Sequence, residues 1–341
     1  MIKIDHCIIY ITKKCNLRCT YCFVQNKIKE QNSMKILTAK KAIDFLFGKI
    51  SKKKIHLSFF GGEPLIEYQL LKNIVHYAEN TSQSMNKSIT FSVVTNGILI
   101  DEKKLSFFNK HGIKIILSCD GDRESQNKHR VFPDGTGTFD ILNKKIAAIA
   151  RLRNSCARIT FTSDTINKIF NNVLYLYNVG FKNIGCSPVD QKDWTGREIK
   201  IIERELKKVG EFWLQKHKSG EEIYIRPLID YFELIENPNQ NFRIHMHKCW
   251  AGKWGFAIDV NGEIYPCHRF MEIKDFVLGD VFEGKINNNL RRKCFYEKPI
   301  NSVGCMGINY QFCHDIKKTP PGPLKVRNVF LKVAQEIYRK L

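Results

Sequence analysis

Between Cys7 and Lys218 a short apolar, β-type run is followed by a helical pattern six times over, and that alternation leaves few architectures open. The strands are expected at Cys7–Thr12, Ile55–Phe59, Ile89–Val94, Ile113–Leu117, Arg158–Phe161 and Ile184–Ser187. Helices are expected near Thr38–Phe47, Leu65–Glu79, Asp101–His111, Phe139–Leu152, Ile166–Asn178 and Glu198–Lys218. Parallel strands joined by helical crossovers wind with one hand, so repeated units build one parallel sheet. Six units fall short of a closed eight-stranded barrel. The expected class is therefore α/β, an open, partial (β/α)6 TIM-like barrel.

Beyond about Arg226 the character of the chain changes. Arg226–Glu236 still reads as helix, and after Asn237-Pro238-Asn239 the elements become short and rich in Cys, Gly and aromatic residues. Ala257–Tyr265 reads as a β-hairpin around Val260-Asn261-Gly262, because Asn-Gly favours tight turns. Thr319-Pro320-Pro321-Gly322-Pro323 reads as a linker to a final basic helix, Leu324–Leu341. Val326, Val329, Phe330, Val333 and Ile337 share one face of that helix, which is expected to dock on the core rather than on a membrane or nucleic acid. The expected organisation is a barrel over 1–225, a small Cys-rich domain over 226–318, and a linker and helix over 319–341.

Composition narrows the function classes. Hydrophobic residues at 43% and charged residues at 26% exclude a chain disordered throughout. No apolar run approaches the roughly 18 residues of a membrane span. Residues 1–6 also lack the apolar region of a signal peptide, so a cytoplasmic protein is expected. In that compartment the 12 cysteines are thiols or metal ligands rather than disulfides. Cys7, Cys119 and Cys186 lie in apolar strand-like runs and read as small core residues. The net charge of +21 favours acidic partners, whereas the dispersal of the basic residues argues against a nucleic-acid surface.

The chemistry concentrates in Cys15-Asn16-Leu17-Arg18-Cys19-Thr20-Tyr21-Cys22, in the loop after the first strand. Three thiolates at this spacing hold three irons of a cubane cluster and leave the fourth open to a ligand. The alternative is a zinc site completed by His6. The next three strands end in Gly61-Gly62-Glu63-Pro64, Thr95-Asn96-Gly97 and Ser118-Cys119-Asp120-Gly121. In a barrel such loops converge on one rim, where ligands bind. Glu63 suits an amino group, and Asn96 and Ser118 suit hydroxyls.

This constellation resembles the radical S-adenosylmethionine (radical SAM) enzymes. Cys15, Cys19 and Cys22 match the family's cluster motif, with Tyr21 at its aromatic position. Gly61, Gly62, Glu63 and Pro64 match the GGEP motif that binds the SAM amino group in relatives. Thr95, Asn96, Ser118 and Asp120 match loops that line the SAM carboxylate and ribose. Arg130, followed by Gly135-Thr136-Gly137-Thr138-Phe139, matches an arginine that helps hold the carboxylate. The resemblance implies a [4Fe-4S] cluster whose open iron chelates SAM. It also implies reductive cleavage of SAM to methionine and a 5′-deoxyadenosyl radical that abstracts hydrogen from substrate, and an electron donor such as flavodoxin or ferredoxin.

Cys249, Cys267, Cys305 and Cys313, with the hairpin between the first two, resemble the SPASM/twitch extension of peptide-modifying members. That implies one auxiliary [4Fe-4S] cluster. No C-x2-C follows Cys305 and no cysteine follows Cys313, so a second auxiliary cluster is not expected. Zinc suits the same four thiolates, and Cys294 is an alternative ligand to Cys305. His268 directly follows a proposed ligand. It is a candidate catalytic base or substrate contact, with a solvated surface histidine the expected outcome.

The function expected from the resemblance is modification of a ribosomally made peptide, by a thioether, a crosslink or an epimerised residue. The charge suits a peptide with an acidic segment. The chain begins at the first barrel strand, so leader recognition is expected from a separate protein or the barrel, or is dispensable. The alternative is an anaerobic sulfatase-maturing enzyme that forms formylglycine; its relatives carry more C-terminal cysteines and an Asp where His268 stands. A different class is a zinc-stabilised nucleic-acid-binding protein.

Overall fold

A computed structural model describes residues 4–24, 30–49, 51–191, 193–236, 250–296 and 305–341. The chain is α/β. The six expected strands are β1 (His6–Thr12), β2 (Lys54–Gly61), β3 (Ser88–Thr95), β4 (Lys114–Ser118), β5 (Cys156–Phe161) and β6 (Asn183–Pro188). Each lies within two residues of its expected bounds. Two compact units divide the chain without following its order. The first holds Met1–Ile116, Phe132–Gly135 and Trp250–Lys298; the second holds Leu117–Val131, Thr136–Cys249 and Pro299–Leu341. The stretch 226–318 is thus shared between the two units.

In the first unit β1 is the central strand. It pairs parallel with β2, which pairs parallel with β3. Residues Cys7 to Thr12 are all buried, as a strand covered on both faces requires. On its other edge β1 pairs parallel with β8 (Gly255–Ile258), in register His6 to Gly255 and Ile9 to Ile258. β8 turns back into β9 (Glu263–Tyr265), and β10 (Gly279–Asp280) and β11 (Lys285–Ile286) continue the antiparallel edge. The expected hairpin is present, and it extends the barrel's own sheet. Its turn is tied by Asp259, whose Oδ1 accepts from the backbone N–H of Asn261, Gly262 and Glu263, each at 2.9 Å. The helices here are α1 (Ile36–Lys49), α2 (Tyr68–Ser84) and α3 (Glu102–Lys110), with α9 (Asn288–Tyr296) from the later stretch.

In the second unit β5, β6 and β7 (Tyr224–Arg226) run parallel in that order. β7 has three residues and no apolar alternation, which is why the sequence reading stops at six strands. The helix α4 (Arg123–His129) also escapes that reading: Arg-Glu-Ser-Gln-Asn-Lys-His has no apolar face, and an N-cap starts it instead. Asp122 accepts from the Ser125 N–H at 2.8 Å. The remaining helices are α5 (Phe139–Ala150), α6 (Ile169–Val179), α7 (Gly196–Lys218), α8 (Leu228–Glu236), α10 (Met306–Cys313) and α11 (Pro321–Tyr338). A capping box between Thr195 and Glu198 opens α7. Asn237-Pro238-Asn239 lie outside the described residues. The expected linker Thr319–Pro323 is mostly helix instead: Pro320 is the N-cap of α11 and Pro321-Gly322-Pro323 form its first turn, where a proline's missing N–H costs nothing.

The C-terminal helix α11 docks as its apolar stripe requires. Val326, Val329, Phe330, Val333 and Ile337 are all buried. A Cβ on Gly210 of α7 would lie 2.5 Å from Ile337 Cγ1, so the two helices approach where α7 has no side chain. Lysines frame the seam: Lys332 pairs with Glu203 at 2.7 Å and Lys207 with Glu336 at 3.0 Å. Phe330 stacks on Tyr231 of α8 with centroids 6.4 Å apart and planes at 12°. Burial of that ring carries the dock, and the exposed pairs add little. Phe330→Ala is therefore expected to cost about 3–5 kcal/mol, and Lys332→Ala less than about 1 kcal/mol, in denaturant unfolding of the full chain.

Candidate metal and cofactor site

The cysteine loop grows directly out of β1. Its approach is set by backbone contacts with the loop after β2. Gly62 N–H donates to the Thr12 carbonyl at 3.0 Å and Glu63 N–H to the Lys14 carbonyl at 2.8 Å. A Cβ on Gly61, where φ is +143°, would sit 2.1 Å from the Thr12 oxygen, and one on Gly62 2.1 Å from the Lys14 oxygen. Only glycine lets the two backbones meet. Inside the loop Cys22 N–H donates to the Cys19 carbonyl at 3.1 Å, and Leu17 N–H points to Cys15 Sγ at 3.4 Å. Leu17 is buried beneath, and Cys15, Cys19 and Cys22 stay partly exposed.

The three thiols share one electrostatic neighbourhood. Burial pushes Cys15 up to about 12, with Glu63, Cys19 and Cys22 adding negative charge beside it. Such a group of soft donors is stable as thiolates only with positive charge among them, which iron supplies. The donor set therefore fits a cubane cluster held by three cysteines. Cys7, Cys119 and Cys186 differ: they are buried in or beside strands, and burial pushes Cys119 and Cys186 up to about 12. His6 cannot complete a zinc site here. It opens β1, stacked on His56 with centroids 5.1 Å apart. The far end of that strand is about 20 Å away at the usual rise per residue.

Glu63 is the hub of the neighbouring loops. Its carboxylate is 1% exposed. Oε1 accepts from Leu65 N–H at 3.0 Å and from the Thr95 hydroxyl at 2.8 Å, and Oε2 accepts from Asn96 N–H at 2.8 Å. The Asn96 side chain donates to Asn16 Oδ1 at 2.9 Å. Asn16 lies inside the cysteine motif, so one carboxylate ties the loops after β2 and β3 and, through Asn96, the cysteine loop. Burial nevertheless raises Glu63 to about 7, against the pull of those hydrogen bonds. The sequence marks Glu63 as a partner for an amino group; its positioning duty follows only from the fold. Pro64 starts the helical turn after it, and Tyr21 sits partly exposed next to Cys22.

In the second unit Asp120 and Arg130 form a buried pair. Arg130 Nε lies 3.0 Å from Asp120 Oδ2 and Nη2 lies 3.1 Å from Oδ1. Asp120 Oδ1 also accepts from Thr160 N–H at 2.9 Å. Gly121 follows with φ +115°, and a Cβ there would lie 2.3 Å from Asn172 Oδ1. Ser118 ends β4, partly exposed. The Arg130 guanidinium is thus held in a fixed plane by a carboxylate.

Beside the cysteine loop, within the first unit, Tyr10, Lys13, Phe23, Val24, His268, Met271 and Glu272 line a small concavity that opens to solvent. The buried Lys13 pairs with Glu272. His268 is not the solvated surface histidine expected. Its ring lies 5.3 Å from Phe60, 5.7 Å from Phe23 and 6.3 Å from Trp250, centroid to centroid. A helical turn at His268–Phe270, directly after β9, swings it into this aromatic wall. Cys267 is buried next to it. Gly252 N–H donates to the Pro266 carbonyl at 2.9 Å, and a Cβ on Gly252 would meet Cys294 Cβ at 3.8 Å. Cys294 therefore approaches the Cys267 strand end, which its sequence position does not reveal. Cys305 and Cys313 flank α10 in the second unit, and Cys249 lies outside the described residues.

Comparison with known proteins follows the same lines. The model of the radical SAM superfamily matches residues 9–187. A cysteine-type anaerobic sulfatase-maturating enzyme of Clostridium novyi is 24% identical over 327 residues, covering 89% of this chain and 84% of its own. An uncharacterised protein of Methanocaldococcus jannaschii is 38% identical over 276 residues, covering 77% and 84%. Among solved structures, native anSMEcpe with bound AdoMet superposes with a TM-score of 0.79 at 18% identity, covering 98% of each chain. Streptococcus suis SuiB bound to its precursor peptide SuiA superposes with a TM-score of 0.66 at 16% identity, covering 94% of this chain and 75% of that one.

Two outcomes follow for the loops. Gly62→Ala forces the Lys14 carbonyl away and is expected to lose most of the iron taken up at the cysteine loop on anaerobic reconstitution, whereas Cys7→Ala keeps it. The second concerns pH. Glu63 keeps its proton in the folded chain to about 7, against an ordinary value of 4.5. Its contribution to stability is thus present below pH 4.5 and lost as pH rises through about 7. Melting curves of the metal-free chain should lose that part of their slope in Glu63→Gln.

Proposed function

The chain belongs to the radical SAM superfamily, and from that premise we propose that it modifies a residue within a peptide or protein substrate. The carrying observation is the likeness, over 82% or more of this chain, to the sulfatase-maturating enzymes and to the subtilosin biosynthesis protein AlbA. The family's cofactors are a [4Fe-4S] cluster and SAM, which supply reductive cleavage of SAM and hydrogen abstraction. Cys15, Cys19 and Cys22 would hold the cluster. Gly61, Gly62 and Pro64 shape the loop that receives SAM, with Glu63, Thr95 and Asn96 fixing its position. Ser118, Asp120 and Arg130 are assigned to the SAM ribose and carboxylate. Tyr21 flanks the cluster. Phe23 and His268 exclude water from the substrate side.

For the C-terminal cysteines we infer one auxiliary [4Fe-4S] cluster drawing on Cys249, Cys267, Cys305 and Cys313, with Cys294 in place of Cys305 as the alternative. The proximity of Cys294 to Gly252 and Pro266 favours that alternative. Flavodoxin or ferredoxin is the proposed electron source. The charge of +21 favours a peptide with an acidic segment. AlbA of Bacillus subtilis, named for biosynthesis of the bacteriocin subtilosin, is 24% identical over 309 residues and supports maturation of a ribosomally made peptide. The whole-chain likeness to the sulfatase-maturating enzymes supports a second reading, formylglycine formation.

One experiment separates these readings. Enzyme, reductant and SAM are incubated with a peptide encoded beside the gene and deuterated at its α and side-chain carbons, or with a sulfatase-derived peptide labelled in the same way. Deuterium passing into 5′-deoxyadenosine supports peptide modification. A crosslinked product keeps its side-chain sulfur or oxygen and loses hydrogen, and formylglycine from cysteine loses the sulfur. Turnover that needs only a small molecule overturns the proposal. Binding of the acidic peptide should weaken between 0.1 M and 1 M salt, as the screening length falls from about 10 Å to about 3 Å. For the clusters, two cubanes require about eight irons per chain. The combined Cys15→Ala, Cys19→Ala, Cys22→Ala protein should keep about four of them and release no 5′-deoxyadenosine. If it keeps none, or one zinc, the auxiliary cluster is wrong.

A further inference from the structure

We propose that His76, Glu79 and His111 form a divalent transition-metal site, for which Zn2+ is the fitting ion, fastening α2 to the end of α3. Among the described residues this is the one place where donor atoms from three His, Cys, Asp or Glu side chains all lie within 4.8 Å of one another. It belongs to the first unit and shares no residue with the cysteine loop. Two imidazoles and one carboxylate are a recurring zinc donor set, with the fourth position left to water.

Local structure explains the convergence. His76 and Glu79 are three apart on α2 and so share a face. His111 caps the C-terminus of α3 and turns its ring toward that face. His111 Nδ1 lies 2.9 Å and 3.1 Å from the two oxygens of Glu79. His76 Nδ1 lies 3.9 Å from Glu79 Oε2. The two imidazole centroids are 5.0 Å apart with planes at 78°, so neither ring stacks over the other's nitrogens. Phe107 closes one side, 4.3 Å from the His111 ring and 5.7 Å from the His76 ring. The His111 side chain is 9% exposed and His76 52%, which gives one fixed ligand and one that opens to solvent for metal entry. Insertion replaces the His111–Glu79 hydrogen bond with two metal–ligand bonds: the neutral His111 ring carries its one proton on Nε2 and offers the Nδ1 lone pair, while His76 swings in by rotation about its side-chain bonds.

The test uses holoenzyme whose iron–sulfur clusters have been reconstituted, so that cluster cysteines do not compete, and ZnCl2 as probe. One zinc per chain should bind beyond the iron, and the melting temperature should rise with zinc concentration. His76→Ala and His111→Ala should each weaken zinc binding at least about tenfold, the lower end of what even an outer-sphere partner costs. Both should leave SAM cleavage at its starting rate. His76→Ala removes a half-exposed side chain, so its folding is not in question. Co2+ in place of zinc should give weak visible bands without thiolate charge transfer. Zinc binding that is unchanged in both variants, cobalt bands of thiolate character, or no zinc bound beyond the clusters would each overturn the proposal.

Discussion

The cysteine loop depends on one close backbone contact. Gly62 and Glu63 hydrogen-bond the carbonyls of Thr12 and Lys14, and the absence of side chains at Gly61 and Gly62 makes the approach feasible. Everything chemical in the first unit is arranged from there. The contact sets the direction in which the chain leaves β1. It also delivers the Glu63 carboxylate to Thr95 and Asn96. Burying a carboxylate is costly, and three hydrogen bonds offset only part of that cost, as the rise of Glu63 to about 7 shows. Such expense marks a group whose position matters more than its contribution to stability.

Cysteine illustrates how environment separates residues of one type. Cys15, Cys19 and Cys22 lie partly exposed in one loop, where burial raises Cys15, and Glu63, Cys19 and Cys22 add negative charge beside it. Cys7, Cys119 and Cys186 sit where burial suppresses ionisation and act as small apolar residues. The same contrast applies to histidine: His6 and His56 are structural, His268 belongs to an aromatic wall, and His76 and His111 face a carboxylate.

Some of the chain's exposed lysines are paired within the chain. Along α7 and α11, Lys332, Lys207 and Lys340 pair with Glu203, Glu336 and Glu211. These pairs frame the docked helix while its buried apolar stripe supplies the energy. Hydrophobic patterning alone was enough to foresee that dock, because a stripe at helical spacing has no other way to leave water.

The six strands, the α/β class, the likeness to the radical SAM superfamily carried by the three-cysteine loop, and the buried face of the last helix were legible in the sequence. Each rests on short-range patterning: strand–helix alternation, a three-cysteine spacing, an apolar stripe. The short strand β7 and the polar helix α4 were not legible, since three residues carry no period and α4 depends on its cap. Tertiary structure alone decided the parallel pairing of β8 with β1, which places the Cys267 strand end in the same unit as the cysteine loop. It also decided that Asn16 meets Asn96, 80 residues apart, that Cys294 approaches Gly252, and that His268 turns inward. These contacts join residues distant in the chain, and no local spacing encodes which loop a carboxylate or ring will reach once the strands have paired.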